Sequence, residues 1–251
     1  MLGAGAALLA ALALPAGAAH PQDKDWGKRE KLDPNGTTAK AEAVVCPVCD
    51  HKCERGVMAN VQEHELDTDF KVLRASFNVY PYVLTTCPKC SYSTYSAQFH
   101  KSLKEEQRKN VMEALKDTKR AFRDSWAVPL SFSLDCAAIT HRTLKSGEGT
   151  LSEIYLLGSY LAREAGEAEA EREMQRNAAS NLIVAIEKDE SYQRPKLRYL
   201  AGEIYRRLGQ HKDALDWLGR ARQDADEELQ KLIARQEMLT RDEIEKKKPK
   251  K

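Results

Sequence analysis

The sequence predicts a mainly α-helical protein of the α+β class, in which a small β-containing module precedes a series of helical hairpins. Two observations place the module. Two C-P-x-C pairs begin at residues 46 and 87, and short strand patterns lie beside them. A third observation predicts the helical part, because apolar residues recur at helical spacing from about residue 102 onward. No strand pattern follows residue 100, so β structure is expected only in the first part of the chain.

Length and net charge limit the classes of protein to which this chain could belong. The chain has 251 residues, which is enough for one large domain or two small ones. Its formal net charge is +2, although 31% of its residues are charged. This near-neutral balance gives no basis for a nucleic-acid-binding protein. The basic run at residues 247–251 is predicted to be a solvated tail rather than a contact with anionic lipid.

Residues 1–19 are predicted to be a signal peptide. Residues 2–14 are apolar and uncharged, and small residues at A-x-A spacing end near Ala18 or Ala19. The apolar run is too short to span a bilayer, so no stable membrane span is expected. We therefore expect an exported, periplasmic protein with a polar linker at residues 20–42. No Lys or Arg precedes the apolar run, and without export it would be an alanine-rich tail of a cytoplasmic protein.

Cys46, Cys49, Cys87 and Cys90 are the candidate metal ligands. Each pair has two residues between its sulfurs and a proline after the first cysteine, so its two thiolates can turn toward one point. Two such turns supply the four sulfurs of a tetrahedral zinc site. We therefore predict a zinc-ribbon-like module at residues 43–100 with one structural zinc. Because export leads to an oxidising compartment, disulfides in the same two turns remain an alternative.

Three residues near or outside the pairs bear on this site. His51 and Cys53 closely follow Cys49, and either could replace one of the four ligands. Cys136 lies in an apolar helical stretch and is predicted to be a buried free thiol. A disulfide between Cys53 and Cys136 is the alternative for an exported chain.

Strands are predicted at residues 43–45, 57–61 and 82–86, the last leading directly into Cys87. The insert between the pairs, residues 54–86, is expected to form a small substructure of its own. A first helix begins near Ser102, includes Phe122 in its apolar spacing, and is broken at residues 126–129. Six more helices are predicted at residues 131–145, 151–166, 168–188, 194–208, 211–223 and 225–246.

Within the helical part, residues 195–224 have the spacing of a tetratricopeptide unit. The preceding helices repeat this pattern loosely, with Leu157, Gly158 and Leu161 in the first helix. We therefore predict a tetratricopeptide-like domain at residues 101–246, and a plain bundle with alanine-rich contacts is the alternative. The matching residues of the later unit are Ala201, Gly202, Tyr205, Gly209, Ala214, Leu218 and Ala221.

In the order of its motifs and helices, the chain resembles an uncharacterised bacterial domain-of-unknown-function family. Proteins of that family have paired C-P-x-C motifs followed by tetratricopeptide-like helices. The resemblance is tightest over residues 44–100, and it implies this architecture and a metal but no reaction. The family pattern often has a glycine after each pair, where this chain has Asp50 and Ser91. Proteins of this family are mostly cytoplasmic, so the predicted signal peptide of this chain differs from the family pattern. The residues that carry the resemblance are 46–49, 67–70, 78–83 and 87–92.

No catalytic motif accompanies the cysteines, since G-x-S-x-G, H-E-x-x-H and phosphate-binding glycine loops are absent from the sequence. Asp67 and Asp69 could bind a second metal or act as acid and base, but a polar turn whose carboxylates cap backbone amides is favoured. We therefore expect a non-enzymatic, zinc-stabilised scaffold whose helical face binds a protein or peptide. The alternative is an exported thiol-disulfide oxidoreductase. The proline after the first cysteine and the lack of alternating strands and helices argue against it.

Overall fold

The computed structural model describes residue 26, residues 29–188 and residues 194–246. In this part, six strands are followed by seven helices, which confirms the predicted fold class of mainly α-helical α+β. The predicted signal peptide, the first part of the predicted linker and the predicted basic tail lie outside the described residues.

The strands pair into three antiparallel hairpins. One cysteine pair forms the turn of the first hairpin, and the other forms the turn of the third. Each pair therefore lies at the tip of a two-stranded hairpin, as in the predicted zinc ribbon. The hairpins are β1 (Ala39–Val45) with β2 (Lys52–Met58), β3 (Glu63–Leu66) with β4 (Val72–Ala75), and β5 (Leu84–Thr86) with β6 (Ser93–Tyr95).

The strand boundaries differ from those predicted. The strand expected at residues 57–61 instead spans Lys52–Met58, because it pairs with β1 from Val45 opposite Lys52 to Ala39 opposite Met58. The strand expected at residues 82–86 begins only at Leu84, since a short 3₁₀ helix occupies Tyr80–Tyr82. Pro81 lies in the first turn of that helix, where a missing N–H costs no hydrogen bond. The β3, β4 and β6 strands have only three or four residues each, which is too short for them to be recognised from their sequence.

The helices lie within a few residues of their predicted positions, except that the first one ends at Ala114. Phe122 was included in its apolar pattern, but it lies in the following loop, where its N–H donates to the Pro88 carbonyl at 3.1 Å. None of the described helices is long and apolar enough to cross a membrane. They are α1 (Glu105–Ala114), α2 (Leu130–Thr143), α3 (Glu148–Glu164), α4 (Ala168–Lys188), α5 (Pro195–Arg207), α6 (His211–Arg222) and α7 (Glu227–Lys246).

In two successive helical hairpins, α3–α4 and α5–α6, a glycine of the first helix faces the second helix at close range. A Cβ atom on Gly158 of α3 would lie 3.0 Å from the Met174 sulfur, and one on Gly202 of α5 would lie 2.8 Å from Leu218 Cγ. In both hairpins the glycine precedes the side chain that it faces by the same number of residues. Only glycine therefore permits the close approach of the helices in α5–α6, where the Leu218 backbone is also near.

The cysteine pairs share a hydrophobic core with the helices that follow them. Val48 from the first pair and Tyr92 beside the second pack with Val111 and Leu115 of the α1 segment and with Phe132 of α2. A larger core lies among α2, α3, α4 and α5. The cysteine hairpins are thus packed against α1 and α2, beyond the boundary predicted at residue 100, and that boundary stays a prediction.

Candidate metal centre

The two cysteine turns have the same backbone hydrogen bonds. In the first turn, the Cys46 N–H donates to the His51 carbonyl at 2.9 Å, and the Asp50 N–H donates to the Cys46 carbonyl at 3.0 Å. In the second, the corresponding distances are 2.8 Å from Cys87 to Tyr92 and 3.0 Å from Ser91 to Cys87. Two unrelated stretches of sequence therefore fold into one kind of knuckle.

The residue after each pair adopts the left-handed conformation that the family pattern assigns to glycine. The φ angle is 57° at Asp50 and 65° at Ser91. This conformation costs a residue with a Cβ atom about 1–2 kcal/mol. The turns keep it because the first and last backbone groups of each knuckle are bonded across it.

The two turns bring all four predicted sulfurs together. The Cys46 and Cys90 sulfurs are 3.7 Å apart, the Cys49 and Cys87 sulfurs are 3.6 Å apart, and all four lie within 4.8 Å of one another. Sulfurs bound to one tetrahedral zinc at about 2.3 Å would be about 3.8 Å apart. Among the described residues, this is the group of side chains that could hold a metal ion. Cys46 and Cys87 are fully buried, Cys90 is nearly so, and Cys49 is half-buried.

Proximity changes the pKa of two of these thiols, Cys46 and Cys87, in opposite directions. Hydrogen bonds donated by Cys46 and Cys53 hold the pKa of the Cys87 thiol far below its usual range. The bond that Cys46 donates to Cys87, together with burial, raises the pKa of Cys46. One thiolate is therefore favoured and its neighbours resist deprotonation. A bound cation removes this conflict, since it neutralises several thiolates in one place.

Residues beyond the strands brace both knuckles. Arg108 of α1 donates from Nε and Nη2 to the Val48 carbonyl at 3.2 and 3.0 Å, and its Nη2 lies 2.7 Å from Asp50 Oδ2. The loop after α1 holds the second knuckle through the bond from Phe122 to Pro88. Sequence reasoning missed Arg108, because one arginine on an amphipathic helix gives no sign of its distant partner.

Asp67 and Asp69 lie in the turn between β3 and β4, away from the sulfurs. Asp67 Oδ1 accepts from the Thr68 N–H at 2.7 Å, and Asp69 Oδ1 accepts from the Lys71 N–H at 3.3 Å. The carboxylates therefore cap backbone amides, which was the favoured interpretation. Phe70, the next residue in the turn, has a φ angle of 65°.

Arginines of two helices form ion pairs with the aspartates of the same turn. Arg163 of α3 contacts Asp69 Oδ2 at 2.6 Å and Asp67 Oδ2 at 3.0 Å, and Arg207 of α5 contacts Asp67 Oδ1 at 2.8 Å. Burial alone would raise the pKa of Asp67, but its bond from Thr68 and the two guanidinium groups lower it. Asp69 is only 1% exposed. These are structural ion pairs, and they leave neither carboxylate free to take part in chemistry.

Thr68, between the two aspartates, extends the contact to α5. Its hydroxyl donates to Glu203 Oε1 at 2.6 Å, and its carbonyl accepts from the Tyr199 hydroxyl at 2.9 Å. The α3 and α5 surface at this point is therefore covered by residues 67–71 of the same chain. We call this contact the aspartate clasp: residues 67–71 with Arg163, Tyr199, Glu203 and Arg207. No sequence pattern indicates it, because its members lie far apart in the chain.

The remaining candidates occupy other places. Cys136 is a fully buried free thiol in α2, as predicted, and Cys53 is also free. His141 of α2 is buried, with Nε2 3.0 Å from Thr94 Oγ1 and Nδ1 2.9 Å from Ser146 Oγ, and burial lowers its pKa.

Comparison with known proteins places this architecture in a family. A family model described as "Uncharacterized protein conserved in bacteria (DUF2225)" matches residues 40–242, which include the four cysteines and most of the helical part. A search of curated proteins and a search of solved structures each found no match.

Proposed function

The chain belongs to this conserved bacterial family, whose description names no activity, and we propose from its geometry that it is a non-enzymatic scaffold stabilised by one structural zinc. Cys46, Cys49, Cys87 and Cys90 would hold the ion. Zinc would supply folding free energy by joining the β1–β2 and β5–β6 hairpins. The observation that carries the proposal is the convergence of four sulfurs at the spacing of a tetrahedral site.

The donor set favours zinc and a structural role. Thiolate ligands select zinc over magnesium or calcium, which prefer oxygen. Four thiolates complete a tetrahedral coordination shell, so no position remains for a reactive water or a substrate. The knuckle hydrogen bonds and the contacts from Arg108 would hold the four ligands in this arrangement.

Zinc binding and stability provide the first test. Purified protein should contain about one zinc per chain. A strong chelator should remove it and lower the unfolding midpoint in urea, and zinc added back should restore that midpoint. Cys87→Ser should lose the metal, while Cys136→Ser, a matched change outside the site, should keep it. Native protein with two disulfides in the knuckles and no metal would contradict the proposal.

The geometry gives little support to the thiol-disulfide oxidoreductase. Both pairs lie in turns between strands, whereas a catalytic C-x-x-C usually begins a helix whose N-terminus lowers the pKa of the first thiol. Alkylation separates the two functions. The four sulfurs of a zinc site should react with iodoacetamide only after a chelator is added, whereas a catalytic thiol would react at once at neutral pH.

We also propose that α3–α4 and α5–α6 are two tetratricopeptide-like units. The equivalence of Gly158 with Gly202 and of Arg163 with Arg207 supports this, because each arginine follows its glycine at the same interval and reaches the same turn. The scaffold would use these units to bind a protein or peptide. Since residues 67–71 cover part of the α3 and α5 surface, the β3–β4 hairpin would be part of the contact surface.

The exposed side chains of this hairpin support that role. Leu66 is 50% exposed and Leu73 is 52% exposed, and exposed leucines on a short strand pair are available to a partner. Proximity labelling in native cells should identify proteins whose labelling falls in the double variant Leu66→Ser/Leu73→Ser. Leu232→Ser, at an exposed leucine of α7, is the matched control. Equal labelling in both variants would exclude the hairpin from the contact.

Export remains part of the proposal and rests on the sequence of residues 1–19. Mass spectrometry of protein purified from its native cell should find an N-terminal peptide that begins at Ala19 or His20. A peptide that retains residues 2–14 would contradict export and place the zinc site in a reducing compartment.

A further inference from the structure

Side chains of α3 and α5 contact every residue of the turn 67–71, and two of these contacts are to its main chain. The Tyr160 hydroxyl of α3 donates to the Asp69 carbonyl at 2.5 Å, and the Tyr199 hydroxyl of α5 donates to the Thr68 carbonyl at 2.9 Å. Hydrogen bonds to the main chain supply affinity in common modes of peptide recognition. The helices therefore hold this turn as they would hold a bound peptide.

The side chains of the turn are contacted as well. Lys71 Nζ lies 2.8 Å from Glu164 Oε1 of α3, and the centroids of the Phe70 and Tyr199 rings are 5.5 Å apart. Thr68 and the two aspartates make the contacts that define the aspartate clasp. The face formed by α3 and α5 thus contacts each side chain of the segment, which a sequence-selective peptide site must do.

Two successive helical units each supply one arginine to this face. Arg163 of α3 contacts Asp69 Oδ2 at 2.6 Å, and Arg207 of α5 contacts Asp67 Oδ1 at 2.8 Å. Guanidinium groups recognise carboxylates through charge-assisted hydrogen bonds of defined geometry. The face therefore fits a ligand that has two carboxylates at alternate positions of its chain.

Both arginines also have an acidic partner on the helices. Arg163 Nε lies 2.7 Å from Glu171 Oε1, and Arg207 Nε lies 2.8 Å from Glu203 Oε1. Because these partners stay when the turn leaves, the site can exchange one ligand for another without leaving a buried guanidinium group unpaired, which would be costly.

The rest of the β3–β4 hairpin is mostly exposed. All four residues of β3 are exposed, and none of β4 is buried. A two-stranded hairpin is at best marginally stable on its own. Within the turn, the φ angle of 65° at Phe70 is a strained conformation for a bulky residue. A separate peptide that presents the same side chains can avoid this strain, so it can compete with the turn.

We infer that the face formed by α3 and α5 is a binding site for an acidic peptide segment of a partner protein, and that residues 67–71 are an internal ligand that occupies it. The segment would have two carboxylates at alternate positions followed by an aromatic residue, which is the pattern of Asp67, Asp69 and Phe70. The inference rests on the proposed function, in which the helical units bind a protein or peptide. The displaced hairpin would still offer its exposed leucines to the same partner.

The test uses a fluorescein-labelled peptide with the sequence of residues 65–72, and fluorescence anisotropy measures its binding to the full chain. In wild type the internal ligand lowers the apparent affinity, because only the open fraction of the protein can bind. Asp67→Asn/Asp69→Asn weakens the internal ligand and should bind the peptide at least about tenfold more tightly than wild type. Equal affinities of these two proteins would overturn the inference.

Matched changes test whether the arginines and carboxylates carry the binding. Asp216→Asn/Asp242→Asn removes two exposed carboxylates elsewhere and should bind the peptide as wild type does. Adding Arg207→Gln to Asp67→Asn/Asp69→Asn should abolish the gain in affinity. A peptide in which asparagine replaces both aspartates should bind at least about tenfold more weakly than the acidic peptide. Equal binding of the two peptides would contradict recognition of the carboxylates.

A second measurement decides if Asp67→Asn/Asp69→Asn does not fold. Hydrogen exchange of wild type with excess peptide should become faster at the amides of β3 and β4 and stay unchanged at β1 and β2. Unchanged exchange at β3 and β4 would overturn the inference. Wild type that binds no peptide and instead forms dimers by exchange of this hairpin would assign the face to a second copy of the chain, and would also overturn it.

The outcomes separate this inference from the proposed function, because zinc content and partner labelling are measured on the same proteins. Full zinc and labelled partners, with no peptide bound to any variant, would overturn the acidic-peptide site alone. A protein without zinc would overturn the zinc-stabilised scaffold, and the peptide titration would still decide the inference about α3 and α5.

Discussion

Ser91 shows how a single residue is adapted to the four-cysteine site at some cost in free energy. It is fully buried, its φ angle is 65°, and its hydroxyl accepts a long hydrogen bond from the Arg120 N–H at 3.5 Å. The hydroxyl thus compensates in part for a backbone conformation that glycine adopts without strain.

Replacement of Ser91 separates the two effects. Ser91→Gly removes the strain and should raise the free energy of unfolding by about 0.5 kcal/mol, after the greater flexibility of glycine in the unfolded chain is included. Ser91→Ala keeps the Cβ atom and loses the hydroxyl, so it should be less stable than wild type. Urea unfolding of the zinc-loaded proteins measures both. A Ser91→Ala variant as stable as Ser91→Gly would show that backbone strain has no role.

Asp69 is the residue on which the aspartate clasp depends most. Asp69→Asn leaves Arg163 without its best partner, and removal of one member of a buried pair is strongly destabilising. Since Arg163 is 20% exposed, water recovers part of the loss, and we expect a decrease of about 2–3 kcal/mol. Thermal or urea unfolding should show it. Glu169→Gln, which breaks ion pairs on the exposed surface of α4, should change the stability little, and an equal effect of the two substitutions would contradict the role of burial.

At the scale of the elements, the sequence predicted what depends on local pattern. Helical spacing located all seven helices of the described residues, because each buries one apolar face along its length. The cysteine spacing located both knuckles, because a tetrahedral site requires that geometry. The β3–β4 hairpin could not be predicted. Its strands are exposed and irregular, and its turn is held by arginines contributed by helices far along the chain.

The α5–α6 hairpin offers a test with a control inside the same element. Gly202→Ala would place a methyl group 2.8 Å from Leu218 Cγ and 3.1 Å from the Leu218 backbone nitrogen, so it should destabilise by about 1–3 kcal/mol. Gly219→Ala, in α6, meets nothing within 4 Å and should stabilise by about 0.5–1 kcal/mol because alanine favours the helix. Urea midpoints of the two variants should move in opposite directions. Movement in the same direction would contradict the proposed close packing.

At the scale of the whole molecule, the four-cysteine site and the helices support each other. Arg108 of α1 and the loop that follows α1 hold the two knuckles, and Phe132 of α2 packs beside the sulfurs. The aspartate clasp joins the insert between the cysteine pairs to α3 and α5. We therefore expect removal of zinc to lower the cooperativity of unfolding of the whole chain, and circular dichroism of the helices during chelation measures it. Helices that unfold at the same urea concentration with and without zinc would contradict this coupling.

The most direct test of the central claim is the X-ray absorption spectrum of the zinc in purified protein. A closed structural site predicts a first shell of four sulfurs at about 2.3 Å with no oxygen or nitrogen neighbour. Cys46→Ser should replace one sulfur by a lighter atom or lose the metal, while Cys136→Ser should leave the spectrum unchanged. A first shell that contains a water or a histidine nitrogen in wild type would contradict the four-thiolate centre, and so would a protein without metal whose knuckle cysteines are joined as disulfides.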